Sequence, residues 1–114
     1  MYDEDPVPGV ALAAAPGSLA GADLTGLDLE GITLAGRDLS GARLESAHLA
    51  AADLGGARLV GAVLRCADLS DAVLAGAVLR DACLCGADLW GADLSGADLR
   101  GACLERTCLE GAVL

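Results

Sequence analysis

Leucine recurs at every fifth position from Leu19 to Leu114 without one failure. The same neighbourhood repeats around each of these leucines. Ala stands two residues earlier in 15 of 19 full repeats, from Ala22 to Ala112, and Gly two residues later in 13 of 19, from Gly21 to Gly111. The residue just before Leu is polar or small, with Asp at 23, 28, 38, 53, 68, 88, 93 and 98. The residue just after it varies freely. An α-helix cannot carry this pattern. At about 100° per residue, successive leucines would lie about 140° apart and no apolar stripe would form. The thirteen glycines would also cost a helix about 1 kcal/mol each relative to Ala. A long flat strand fails because an odd period sends successive leucines to opposite faces. The period fits a chain that turns a corner every five residues. Leu and the Ala two before it then point inward, and the residues flanking Leu point outward. Gly sits near the corner, where the absence of Cβ permits the dihedrals.

The 114 residues set one domain as the ceiling. Seventeen Asp and Glu stand against seven Arg and no Lys, for a formal charge of −10, and the aromatics are Tyr2 and Trp90 alone. Such a chain lacks the basic patches and stacking rings that nucleic-acid binding needs. Its apolar content of 54% argues against disorder. Mean hydropathy is positive, yet beyond residue 20 no stretch approaches the roughly 20 apolar residues that span a bilayer. The start, Met1 to Pro6, is acidic where a signal peptide is basic. The expectation is a soluble, cytoplasmic protein whose five cysteines are mostly reduced. Abundant Ala, Gly, Arg and Leu without Lys hint at a GC-rich bacterial genome.

Runs such as Ala87-Asp88-Leu89-Trp90-Gly91, Ala92-Asp93-Leu94-Ser95-Gly96 and Ala97-Asp98-Leu99-Arg100-Gly101 carry a resemblance. They are similar to the pentapeptide-repeat family, whose motif is of the A(D/N)LxG kind. The resemblance covers residues 19 to 114. It implies an all-β fold, a right-handed quadrilateral β-helix with four pentapeptides per coil and about 4.5–5 coils. On that basis residues 18–114 form the β-helix, with coils at 22–41, 42–61, 62–81, 82–101 and a partial 102–114. Residues 1–17, with three prolines and an acidic tip, form a flexible or capping segment. Val7, Val10 and Leu12 are its candidates for folding over the end of the rod. The first coil has Leu27, Ile32 and Arg37 where Ala is the rule, which suggests a wider, capping coil. Arg37 is expected to snorkel out or pair with an acid, because burying it unpaired is costly. The other end stops at Gly111-Ala112-Val113-Leu114. An open coil invites pairing, so Leu109, Val113 and Leu114 are candidates for an end-to-end homodimer.

With twenty residues per coil, the outward positions sort into four faces. The face centred on Leu29, Leu49, Leu69, Leu89 and Leu109 carries Asp28, Glu30, Asp68, Asp71, Asp88 and Glu110, and no Arg. Trp90 lies on it too, and an exposed Trp is a favoured interface anchor. Two other faces balance acids against arginines, and the fourth holds only Asp53 and Asp93. The acidic face is therefore the candidate partner-binding wall. Taken singly, its aspartates also fit a simpler role, since Asp before Leu is the family's default and holds turn backbone. His48 falls between Asp28 and Asp68 and is expected to be a surface salt-bridge residue. Cys66, Cys83, Cys85 and Cys103 cluster on one face. Thiols so placed suit Zn²⁺ or a Cys83–Cys103 disulfide. No CxxC pair exists, however, and Cys also serves as a small apolar residue. The inert reading is preferred, and no metal or cofactor is expected.

Catalysis is not expected. There is one His, no Lys, no Ser-His-Asp spacing and no glycine loop opening a helix. Some pentapeptide-repeat proteins resemble duplex DNA in shape and charge and bind DNA gyrase or topoisomerase IV. The resemblance thus implies a non-enzymatic interaction module, with DNA mimicry toward gyrase or topoisomerase IV as its most concrete form. The alternative is a display scaffold for another protein partner. Direct nucleic-acid or membrane contact is not expected.

Overall fold

The computed structural model describes residues 17–114. Fifteen parallel single-residue bridges join residues twenty apart, from Asp23 with Arg43 to Asp93 with Val113. Each bridged residue is the one just before a leucine. Three hydrogen bonds per repeat tie one pass of the chain to the next. In the first of them Arg43 N–H donates to Ala22 O (2.8 Å), Leu24 N–H to Arg43 O (2.7 Å) and Gly26 N–H to Glu45 O (2.9 Å). Four five-residue steps thus return the chain over itself, as a parallel β-helix without an α-helix among the described residues. We name the four walls by their first leucines. The Leu24 wall takes residues 22–26, 42–46, 62–66, 82–86 and 102–106. The Leu29, Leu34 and Leu39 walls follow at steps of five.

Each corner is a four-residue turn that begins at leucine. The leucine carbonyl accepts the N–H three residues on, as in Ala47 N–H to Leu44 O at 3.1 Å. Its third residue has positive φ, as a type II turn demands. Glycine fills that place in thirteen repeats. In the other six, Ser46, Ala51, Cys66, Asp71, Asp81 and Arg106 hold φ of 57–60°. A side chain in this region costs roughly 1–2 kcal/mol. Core packing and the inter-coil bonds therefore hold six strained corners in place.

Inside the tube, leucines from Leu29 to Leu89 and the alanines beside them are sealed from solvent. No polar or charged residue is buried among the described residues. Alanine keeps opposite walls close enough for the leucines to meet.

The first coil carries larger inward side chains than the coils that follow, at Leu27, Ile32 and Arg37. Its bridges, Asp28 with His48 and Thr33 with Asp53, keep the common register. Ile32 is only 7% exposed, and Leu27 is half-buried against the core. The turn bond into Leu27 is 3.3 Å, against 3.1 Å at Ile32. The register thus survives the added volume. Arg37 reaches from its inward position to the edge of the rod, where it donates to Gly17 O at 3.2 Å. Val7, Val10 and Leu12 lie outside the described residues. Toward residue 114 the inward positions gain exposure. Leu104, Val113 and Leu114 are 37%, 54% and 76% exposed, and Leu109 is half-buried.

Candidate functional site

In each repeat one backbone amide is left over by the ladder and the turn, that of the residue after leucine. Every aspartate that precedes a leucine accepts it. Glu30 N–H donates to Asp28 Oδ1 (3.2 Å), Ser70 N–H to Asp68 Oδ1 (3.0 Å) and Trp90 N–H to Asp88 Oδ1 (3.0 Å). Asp23, Asp38, Asp53, Asp93 and Asp98 do the same. The Thr25 hydroxyl at Asp23, the Ser40 amide at Asp38 and the Ser95 hydroxyl at Asp93 hold these carboxyls below their ordinary range. Half of the acidic wall is therefore structural as well as charged. Asn keeps the accepting oxygen and removes only the charge. Asp68→Asn should leave stability within about 0.5 kcal/mol, while Asp68→Ala should lose about 1 kcal/mol through the orphaned amide. Urea unfolding of both variants checks this, and equal losses would contradict it.

The walls differ in how far their charge is compensated. On the Leu39 wall Asp98 binds Arg80 (2.6 Å) and Arg100 (2.9 Å). Arg100 and then Arg80 hold its carboxyl well below the usual range. On the Leu24 wall Arg43 meets Glu45 at 3.5 Å. No ion pair among the described residues touches Asp28, Glu30, Asp68, Asp71, Asp88 or Glu110. His48 is exposed between Asp28 and Asp68 but does not pair with either, contrary to the salt-bridge expectation. Its bridges are made by the backbone alone. Trp90 is 50% exposed amid this uncompensated charge. Asp71 does not cap a turn. It sits at a strained corner with its carboxylate over Gly91.

A second cluster lies on the Leu24 wall. Arg65, Cys66, Cys85, Gly86, Glu105 and Arg106 line an open recess of about 440 Å³. Cys83, Cys85 and Cys103 meet beside it. The backbone N–H of Cys85, and then Arg65, favour the thiolate of Cys83. Hydrogen bonds to Cys103 and Cys83 push the Cys85 thiol up to about 12. Glu105 joins this group through the Cys103 thiol, which donates to Glu105 Oε1 at 3.8 Å. Sequence reasoning left Glu105 among the balanced charges, although its place twenty residues after Cys85 was the available signal. Thr107, in an inward alanine position, was also passed over. Its hydroxyl donates to Leu84 O at 2.7 Å.

Pentapeptide repeats match the chain in 8 copies, over residues 18–54, 28–65, 42–81, 52–91 and 79–114. The chain belongs to the pentapeptide-repeat family. A pentapeptide-repeat protein from the Arabidopsis thaliana thylakoid lumen is 35% identical with a TM-score of 0.79, over 82% of this chain and 66% of that one. HetL, a pentapeptide-repeat protein involved in heterocyst differentiation regulation in Nostoc sp. strain PCC 7120, is 38% identical with a TM-score of 0.66. That match covers 83% of this chain and 52% of HetL. The chain thus spans about two thirds of the first of these pentapeptide-repeat structures and about half of the second. More distant is QnrB1, a plasmid-mediated fluoroquinolone resistance protein, at 20% identity and a TM-score of 0.42 over 75% of this chain and 64% of QnrB1. At that distance the likeness bears on neither partner nor activity. No curated protein matches the chain. Among the described residues no helix is long and apolar enough to cross a membrane.

Proposed function

We propose that this pentapeptide-repeat protein is a non-enzymatic interaction module that docks a protein partner on its Leu29 wall. The observation that carries this reading is the half-exposed indole of Trp90 within a wall whose six acids have no ion-pair partner among the described residues. The partner it fits has a basic surface around an apolar pocket for the indole, since aromatic anchors in desolvated pockets dominate binding energy. Uncompensated acids would speed its arrival. Topoisomerase-directed DNA mimicry, with DNA gyrase or topoisomerase IV as target, is the most concrete form of the proposal. Five coils at about 4.8 Å make a rod of about 24 Å, and duplex DNA of that length carries about 14 charges. Residues 18–114 hold 14 acids and 7 arginines, a net −7, so charge density is half that of DNA over the whole rod. Only the Leu29 wall approaches it. The right-handed, four-sided form, a cytoplasmic bacterial setting and end-to-end pairing through Leu109, Val113 and Leu114 belong to the same proposal. The turn-capping role of Asp28, Asp68 and Asp88 favours the second reading, a display scaffold whose acids serve the fold.

A gyrase supercoiling assay with and without a quinolone separates the two. Under the mimic reading the protein inhibits or protects gyrase at low micromolar concentration. The triple variant Asp28→Asn, Asp68→Asn, Asp88→Asn, which keeps the turn caps, loses that effect, as does Trp90→Ala. No effect at concentrations tens of times higher would overturn mimicry of this target.

A further inference from the structure

The Leu24 wall sets four donor groups at the corners of a two-by-two grid. Cys83 and Cys103 are bridged neighbours in the column before leucine. Cys85 and Glu105, also twenty apart, occupy the column after leucine. Within the grid Cys85 Sγ, Cys103 Sγ and a Glu105 carboxylate oxygen all lie within 4.8 Å of one another. Tetrahedral zinc with bonds of about 2.3 Å holds its donor atoms about 3.8 Å apart. The Cys103–Glu105 pair already has that spacing, at 3.8 Å. Cys83 lies outside that tight trio, diagonal to Glu105 on the grid, and its thiol must turn inward to become the fourth ligand. Cys85 and Cys103 are half-buried and Glu105 is exposed, so an ion has a direct route in from the recess that Cys85 and Glu105 line.

We propose that Cys83, Cys85, Cys103 and Glu105 form a surface site for Zn²⁺. Three sulfurs and one oxygen select a thiophilic ion over Mg²⁺ or Ca²⁺, which take oxygen ligands. Three thiolates and a carboxylate leave a divalent ion with excess negative charge. The Arg65 guanidinium, 3.8 Å from Cys83 Sγ, offsets part of it. The ligands come from two successive coils, 82–101 and 102–114. A bound ion therefore staples residues 102–114 to the coil before them, and metal binding adds to folding stability.

The full chain, stripped of metal and kept reduced, is titrated with Zn²⁺ against a chromophoric chelator, and with Co²⁺ for its spectrum. One ion per chain is expected, with the thiolate-to-cobalt charge-transfer and visible bands of a tetrahedral site. Zn²⁺ should also raise the unfolding temperature. Cys85→Ser and Cys103→Ser should each weaken binding by roughly tenfold or more, and Glu105→Gln should weaken it less. Cys108→Ser, on the Leu29 wall, should change nothing. Circular dichroism confirms that each variant is folded. The site is overturned if the folded, reduced chain fails to compete with the chelator. It is equally overturned if the Cys85→Ser, Cys103→Ser double variant binds as tightly as the parent.

Discussion

Leu69→Ala should cost about 2–5 kcal/mol of folding stability, the range for a leucine removed from a packed core. Leu69 is fully buried, with Leu49 and Leu89 stacked in the coils on either side. The tube closes around it on four walls, and the inter-coil hydrogen bonds fix their spacing. The walls cannot collapse onto the missing methyls without breaking that ladder, which places the loss toward the upper part of the range. Leu114→Ala gives the internal control. Its side chain is three-quarters exposed, and such a position moves stability by no more than about 0.5 kcal/mol. Urea unfolding of the two variants should show this contrast. Similar losses at both sites would mean that the tube is not the stabilising core. Stability in a stack of repeats is a sum of repeat and interface terms, so a broadened transition in Leu69→Ala is also expected.

Gly91→Ala should cost about 2 kcal/mol, a large loss for a surface position. Gly91 has φ of 69°, where a side chain costs roughly 1–2 kcal/mol. An added Cβ would also stand 2.5 Å from Asp71 Oδ1. That carboxylate can swing away only by leaving its present rotamer. Asp71→Gly should therefore do two things. Alone it should stabilise the chain by about 1 kcal/mol, because it relieves a strained corner. In combination it should remove the contact part of the Gly91→Ala penalty and leave the backbone part. A double-mutant cycle measures that coupling directly. Strict additivity of the two changes would show that Asp71 and Gly91 do not touch.

The period of five was enough to place Leu and Ala in the core and Gly at the corners, because only a turning chain keeps one residue type inside at an odd spacing. Sequence period alone does not reveal how many corners close a coil. The twenty-residue bridges decide which side chains become neighbours. The stacking of Cys83 on Cys103 and of Cys85 on Glu105 depends on the twenty-residue spacing. The loss of glycine at Ser46, Ala51 and Cys66 was visible in the sequence, but not that the backbone would keep φ positive there. Neighbouring coils impose the turn on whatever residue occupies it. Leu27 and Ile32 add volume inside the first coil without shifting its register. His48 stands between two acids in its column, yet forms no pair, because columns fix backbone proximity and leave side-chain direction free. The exposure of Trp90 follows from its place directly after leucine, a position that points outward on every wall.

The twenty-residue bridge also sets a grammar for insertions. A gain or loss of one residue would turn every later leucine out of the tube and ruin the fold from that point on. A gain of five would keep the interior intact but carry each downstream side chain to the adjoining wall. Asp68 and Asp88 would then no longer lie in line with Asp28, and Cys85 and Glu105 would move together to another side of the rod. Only a gain of twenty preserves both the interior and the surface pattern. Such a chain can lengthen by whole coils while its exposed pattern stays in phase, and it can rewrite one wall without disturbing the other three.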